Sequence, residues 1–298
     1  RRPPRSTLFP YTTLFDLKRI LLISLLLVTA AITFNSCILD SNRIKGRGDL
    51  VTKEVNVDYF NSINLNSVIH VEIEQFYDHT VKIEAQENLM DYIEIYEDDK
   101  VLYIDAKEPY NLDPSKKITV YLTTPEIRLI ESNGTGDTYG TSIYDDIYDL
   151  SFIINGTGNI DFAWTDAQNV NVELDGTGDM YLIGNGNNFD ADIDGTGNLD
   201  FEGNYTTTFT TIDGTGSCFA NGSSTNNTVQ LDGTGSFYGK DYHTEYSNIK
   251  INGTGDAEVY CTQNLIIDLD GSGDVYYYGN PEQLQVDNDG SGDIFGSN

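Results

Sequence analysis

From residue 49 onward, apolar and polar residues alternate with a period of two, the mark of strands with one buried face. The alternation is plain in the segments VTKEVNV, SVIHVEIEQ, TVKIEAQ, KVLYIDA and KITVYLTT. NLMDYIEIYEDD reads as a turn or short helix leading into a strand. Beyond residue 132 the alternation is locked to a recurring pentapeptide, Asn/Asp-Gly-Thr/Ser-Gly-Asp/Asn/Ser. It begins at Asn133, Asn155, Asp175, Asp194, Asp213, Asp232, Asn252, Asp270 and Asp289, at intervals of 22, 20, 19, 19, 19, 20, 18 and 19 residues.

Take the Asn/Asp of each copy as position zero. Positions −5, −3 and −1 are then mostly apolar, as in Leu150, Phe152, Ile154; Val170, Val172, Leu174; Phe189, Ala191, Ile193; and Leu265, Ile267, Leu269. Positions +5 and +7 are apolar again: Ile160 and Phe162, Met180 and Leu182, Leu199 and Phe201, Val275 and Tyr277. Each unit therefore reads as strand, glycine corner, strand and variable loop. A single unit cannot bury its apolar face, but stacked units align their equivalent positions into one continuous core. The expected fold is all-β, a parallel β-helix (β-solenoid) with about 19-residue coils. At about 4.8 Å per coil, nine copies make a rod of about 40 Å. Residues 49–132 are expected to form less regular initial coils or a cap, and residues 133–298 the regular repeat with an incomplete last coil.

Glycine at +1 and +3 suits either a positive φ or a close backbone approach that a Cβ would block. Asn or Asp at zero is expected to cap the corner by accepting the N–H two residues on. The residues at +2, from Thr135 to Ser291, stack into a hydroxyl ladder.

The N-terminus carries no initiator Met, and its first 15 residues, ending in LFPYTTLF, read as a translated sequencing adaptor. Residues 16–36 then read as a signal peptide. Lys18 and Arg19 precede an apolar run over residues 20–32, too short to span a bilayer. The sequence Phe34-Asn35-Ser36-Cys37 resembles a lipobox, so Cys37 is the expected lipidation site and the outer membrane the expected anchor, with residues 37–48 as a tether.

Charge narrows the partners. The chain has 47 acidic and 17 basic residues, a net charge of −30. From residue 133 onward 27 residues are acidic and only Lys240 and Lys250 are basic. Such a field repels phosphate, so nucleic acid and anionic membrane are not expected as direct partners. Cys218 and Cys261 fall at different positions of the repeat and are expected as small buried apolar groups, not as a disulfide.

The GTGD/GSGD series at this spacing, with GRGDLVTKEVNVDYFNSINL, AQENLMDYIEIYEDDKVLYIDAK and KKITVYLTTPEIRLIESNGTGD upstream, resembles the GIN-domain family, described as auto-transporter adhesin head domains. The resemblance spans roughly residues 46–295. It implies a right-handed parallel β-helix on an exported, often lipidated protein. It implies adhesion as the role, and it brings no catalytic residues.

Three candidate sites remain. The outward position +6 carries Tyr139, Tyr181, Phe219, Tyr238, Tyr276 and Phe295, interrupted by Asp161, Asp200 and Glu258. This column is the candidate binding face for a glycan or an extracellular or envelope protein; its plainer role is a ladder that stabilises the sheet. The carboxylates of Asp175, Asp194, Asp213, Asp232 and Asp270 at zero, with Asp179 and Asp274 at +4, are the calcium candidates; their plainer role is capping. Enzyme signatures are missing. His70, His79 and His243 are isolated, and no nucleophile elbow or phosphate loop occurs. A glycosidase needs only two carboxylates, so a carbohydrate-active enzyme on the same scaffold is the competing expectation. No cofactor is expected.

Overall fold

The structure, a computed structural model, describes residues 42–144 and 147–297. The expected signal peptide and Cys37 lie outside the described residues. The early strands are β1 (Arg43–Lys45), β2 (Leu50–Val55), β3 (Ser62–Leu65), β4 (His70–Gln75) and β5 (Thr80–Gln86). After a 3-10 turn at Glu87–Tyr92 come β6 (Ile93–Asp98), β7 (Val101–Ala106), β8 (Asn111–Asp113), β9 (Thr119–Thr124) and β10 (Leu129–Ser132). The repeat contributes β11 (Thr138–Tyr144), β12 (Ile147–Ile154), β13 (Ile160–Leu174), β14 (Met180–Ile193), β15 (Leu199–Ile212), β16 (Cys218–Leu231) and β17 (Phe237–Ile251). It ends with β18 (Ala257–Leu269), β19 (Val275–Tyr278), β20 (Gln283–Asn288) and β21 (Ile294–Ser297).

Successive coils pair in parallel, as expected for a solenoid. Val172 lies beside Phe152 on one side and Ala191 on the other, and Leu199 joins Met180 to Cys218. Nearly all the inward positions assigned by alternation are buried, from Leu150, Phe152 and Ile154 through Leu265, Ile267 and Leu269. They belong to one cluster that runs from Phe60 to Val275. Burial of this continuous apolar surface is what favours the stacked state.

Two features differ from the sequence reading. First, the variable loop is itself strand. From β13 to β18 the chain stays extended for 13 to 15 residues after each corner. Within it the inward–outward alternation slips by one where two outward residues follow in succession, such as Thr206 and Thr207. Extra residues are absorbed as bulges away from the corner, as between Phe219 and Asn221 opposite the longer next coil. Second, part of the stretch read as a tether pairs with the body: Arg43–Lys45 runs parallel to Asn111–Asp113, and Arg43 pairs ionically with Asp113 at 3.0 Å.

Below the repeat, the parallel strands β3 and β4 continue both sheets downward, and β7 and β9 lie beneath them. The lower edges are closed by antiparallel partners, β6 on β7, β5 on β9 and β2 on β5. Cys218 and Cys261 are free thiols inside the core, as expected. Among the described residues no helix is long and apolar enough to cross a membrane.

A candidate binding face beside the glycine corners

The corner fixes the rod's geometry. At most copies the N–H groups of positions zero and +1 bond the carbonyl at −1 of the coil below, and at every copy the +2 N–H bonds the carbonyl at +1 below, joined at several by the +3 N–H. Thus Asp175 and Gly176 donate to Ile154 (2.9 and 2.8 Å), while Thr196 donates to Gly176 (3.0 Å). A Cβ on Gly176 or Gly178 would collide with the carbonyl of Gly156 or Gly158 directly below. None of the motif glycines has a positive φ, so close approach, not left-handed backbone, explains them.

The cap was expected at position zero and is found at +4. The N–H two residues past zero already bonds the coil below. The N–H at +4 instead bonds the +4 side chain of the coil below: Asn159 to Asp137 Oδ1 (3.0 Å), Asp179 to Asn159 (2.8 Å), Asn198 to Asp179 (2.7 Å) and Ser217 to Asn198 (3.1 Å). The chain of caps continues through Ser236 at 3.2 Å, Asp256 at 3.0 Å, Asp274 at 2.7 Å and Asp293 at 2.8 Å. Its lowest rung was invisible in the sequence. His70 Nδ1 accepts the N–H of Asp137 at 3.0 Å. Burial and the Lys117 ammonium hold this imidazole below its usual pKa, which keeps the nitrogen free to accept.

The zero column relieves its charge differently. Asn155 donates its amide to Asn133 at 2.7 Å, and Asn252 donates to Asp232. Gln230 and Asn252 hold the Asp232 carboxyl below its usual range. Burial, then Asp232 and Asp194, push Asp213 up. Among the described residues no group of three His, Cys, Asp or Glu is placed to hold a metal ion. Of the calcium candidates, Asp179 and Asp274 have one oxygen each committed to a backbone N–H. The +2 hydroxyls, from Thr135 to Ser291, all face solvent beside these columns.

The six expected aromatic positions do fall in one outward column. Cα pairing runs Tyr139–Asp161–Tyr181–Asp200–Phe219–Tyr238–Glu258–Tyr276–Phe295 without a break. Phe219 stacks on Tyr238 at 4.9 Å and 15°, and Tyr276 on Phe295 at 5.0 Å and 17°. The column goes further than the repeat allowed one to see. Glu72, Tyr121 and Lys82 extend it below Tyr139. Only the period-two alternation of KITVYLTT marked Tyr121 as outward. A cavity of about 300 Å³ opens beside the stacked pair, lined by Asp200, Phe219, Tyr238, Lys240, Asp241 and Glu258 among others.

A second cavity, of about 750 Å³, lies over the coil formed by β3 and β4, where residues 107–110 project outward. Asn66, Asn133, Asp105, Glu108, Tyr110 and Thr135 line it. Burial raises the Asp105 carboxyl, and Glu108 adds to the shift.

Comparison with known proteins agrees with this architecture. Residues 59–218 and 204–281 match the family model described as "Putative auto-transporter adhesin, head GIN domain". No curated protein matches the chain. A solved structure described as a putative adhesin from Parabacteroides distasonis ATCC 8503 has a TM-score of 0.67 at 22% identity, covering 86% of this chain and 100% of its own. A putative adhesin from Parabacteroides merdae ATCC 43184 gives 0.64 at 22% identity, again with 86% and 100% coverage. A third, described as a putative lipid binding protein from Parabacteroides distasonis ATCC 8503, gives 0.60 at 21% identity, with the same coverage. At these identities the likeness establishes the fold. The family match spans most of the chain, so this β-solenoid belongs to the GIN-domain family of adhesin head domains.

Proposed function

We propose that the chain is an adhesion-like binding module, held at the cell surface by a lipid on Cys37, that engages a glycan or an envelope protein through the +6 column. The observation that carries this reading is the unbroken column itself. Tyr181, Phe219, Tyr238 and Phe295 are each at least 37% exposed, yet they sit on a scaffold fixed by two backbone ladders. Rigid exposed aromatics bind partners with little loss of side-chain entropy. Lipidation would supply the membrane affinity that an acidic body lacks.

An array of glycans and matrix proteins, probed with the full chain, tests this. Capture that disappears on replacing Tyr181, Phe219 and Tyr238 by Ser supports the reading; capture that survives the replacements overturns it. Neutral phosphatidylcholine vesicles belong among the probes, because one structural neighbour is described as lipid binding.

One observation favours a second reading. Asp105 and Glu108 line the same cavity of about 750 Å³, and burial, with Glu108 adding to it, raises the Asp105 carboxyl above its ordinary range. Glycoside hydrolysis uses two carboxyls, one of them raised so that it can act as the acid. Release of reducing ends from polysaccharides, abolished by Asp105→Asn, would replace the binding reading with a carbohydrate-active one.

A further inference from the structure

The +6 column does not mix aromatics and acids at random. Three times, a single carboxylate has an aromatic residue on the coil below and another on the coil above: Tyr139–Asp161–Tyr181, Tyr181–Asp200–Phe219 and Tyr238–Glu258–Tyr276. Among the described residues, none of these three carboxylates has a hydrogen bond or ion pair within the chain. Many of their neighbours at +4, by contrast, are engaged as caps.

The ring geometry says where a ligand would sit. Phe219 and Tyr238 stack nearly parallel at 4.9 Å, as do Tyr276 and Phe295 at 5.0 Å, which is close to one coil spacing. Each of these rings gives one face to its offset-stacked partner, so the other faces of Tyr238 and Tyr276 lie on the side of the Glu258 coil. Those two rings lie about 10 Å apart, two coils. A group midway between them is about 5 Å from each, inside the roughly 6 Å reach of a cation–π contact, with the carboxylate beside it. The negative ring faces and the carboxylate favour the same guest, a cation.

The chain shows the same chemistry with its own residues. The Lys117 ammonium lies 5.1 Å from the ring centroid of Tyr139, and that of Lys240 lies 4.9 Å from Tyr278. Beyond Lys240 and Lys250 the repeat offers no basic side chain, so the remaining clips face solvent in a strongly negative field.

From this geometry we propose that the +6 column is a docking track for an extended, arginine- or lysine-bearing polypeptide segment. The proposal rests on the adhesion reading above and names the partner class. Arginine fits best, because its planar guanidinium stacks on rings while pairing with a carboxylate. The clips at Asp161 and Asp200 are two coils apart, and those at Asp200 and Glu258 three coils apart. An extended chain rises about 3.3 Å per residue, so matching cations stand about three and then about four residues apart.

The test uses the full chain in a neutral detergent and three Gly/Ser peptides. One carries three arginines at the matching spacing, one carries the three contiguously, and one carries citrulline in their place. The spaced peptide is expected to bind most tightly and the citrulline peptide not at all. The triple variant Asp161→Asn, Asp200→Asn, Glu258→Gln is expected to weaken the spaced peptide by roughly tenfold or more. The control variant Glu173→Gln, Asp190→Asn, Asp287→Asn removes the same charge elsewhere on the rod and is expected to leave binding within about twofold. All six positions face outward, and circular dichroism confirms that each variant folds. Equal losses in both triple variants, or equal affinity for spaced and contiguous arginines, would show that only net charge matters and overturn the proposal. Retention of a neutral glycan through Tyr181, Phe219 and Tyr238, with no peptide bound, would overturn the cationic partner while sustaining the adhesion reading. Failure of every peptide, glycan and matrix probe would overturn both.

Discussion

Asp179 Oδ1 accepts the backbone N–H of Asn198, one coil above, at 2.7 Å. The bond is one rung of a ladder in which each +4 side chain caps the +4 amide of the next coil. It explains why Asp, Asn and Ser interchange freely there: each offers an acceptor oxygen, and charge is not required.

Asp179→Asn is therefore expected to keep the melting temperature, since the amide oxygen still accepts. Asp179→Ala orphans the Asn198 amide and is expected to cost about 1 kcal/mol at this exposed site. Thermal unfolding of the two variants decides between a capping role and a charge role.

The same bond bears on calcium. With an oxygen of Asp179 and of Asp274 already given to an amide, the columns hold few free ligands for an ion that takes six to eight oxygens. The melting temperature is expected to differ by less than about 2 °C between millimolar calcium and EDTA, a small ligand-linked shift. A rise of ten degrees or so with calcium would mark a specific site.

Glycine at +3 is explained by backbone contact, which yields a sharp contrast between neighbours. Gly178→Ala puts a methyl into the carbonyl of Gly158 below and is expected to destabilise by about 2 kcal/mol or more, through a forced local widening of the stack. Thr177→Ala, on the exposed position between the two glycines, is expected to stay within about 0.5 kcal/mol. Denaturant melts of both variants compare the two directly.

This contact also accounts for what the sequence disclosed and what it hid. The repeat was legible because nine stacked corners demand glycine at the same two places, and because period-two burial repeats around them. The coil formed by β3 and β4 obeys the same register, with Leu65 below Ser132 and Val71 below Thr138, yet carries Ser67 and Ile69 where later coils have glycine. The cavity lined by Ser67, Val68 and Asp105 shows why: residues 107–118 interrupt the stacking beneath, so side chains fit there. Without glycines no repeat position could be assigned, so the His70 cap and the membership of Glu72 and Tyr121 in the +6 column went unseen. Capping between coils was also hidden, since its partners lie 18 to 22 residues apart, with no local signature. The aromatic column, by contrast, followed directly from counting.

Stability should respond to pH with two opposite signs. His70 has a lowered pKa in the fold, so the unfolded chain binds its proton more readily. Its contribution is complete above the unfolded value of about 6.5 and is lost as pH falls through that region. Asp192 is raised, first by burial and then by Asp194, Asp213, Asp175 and Asp190. A raised carboxyl favours the fold below its unfolded pKa and loses that benefit as pH rises toward neutrality. Asp192→Asn is therefore expected to raise the melting temperature at pH 7 and to have little effect at pH 4. His70→Asn, which keeps an acceptor but does not titrate, is expected to flatten the loss between pH 7 and pH 5. Melting curves of the three proteins from pH 7 down to pH 4 separate the two groups.

The interior of the coils from β15 to β17 departs from a purely apolar solenoid. Thr208 and Thr210 are buried, and the Tyr205 ring packs against Phe189 at 5.0 Å. Among the described residues the Tyr205 hydroxyl has no hydrogen-bond partner, and burial pushes its pKa well above the usual phenol range. A buried hydroxyl without a partner costs about 1–3 kcal/mol, whereas the ring itself contributes area and contact. Tyr205→Phe keeps the ring against Phe189 and Phe201 and removes the unsatisfied oxygen, so it is expected to stabilise by about 1 kcal/mol. Tyr205→Ala removes the ring as well and is expected to destabilise by about 3 kcal/mol or more. If Tyr205→Phe instead lowers stability, the hydroxyl must be serving a polar partner inside the rod, and the interior near Thr208 is wet, not dry.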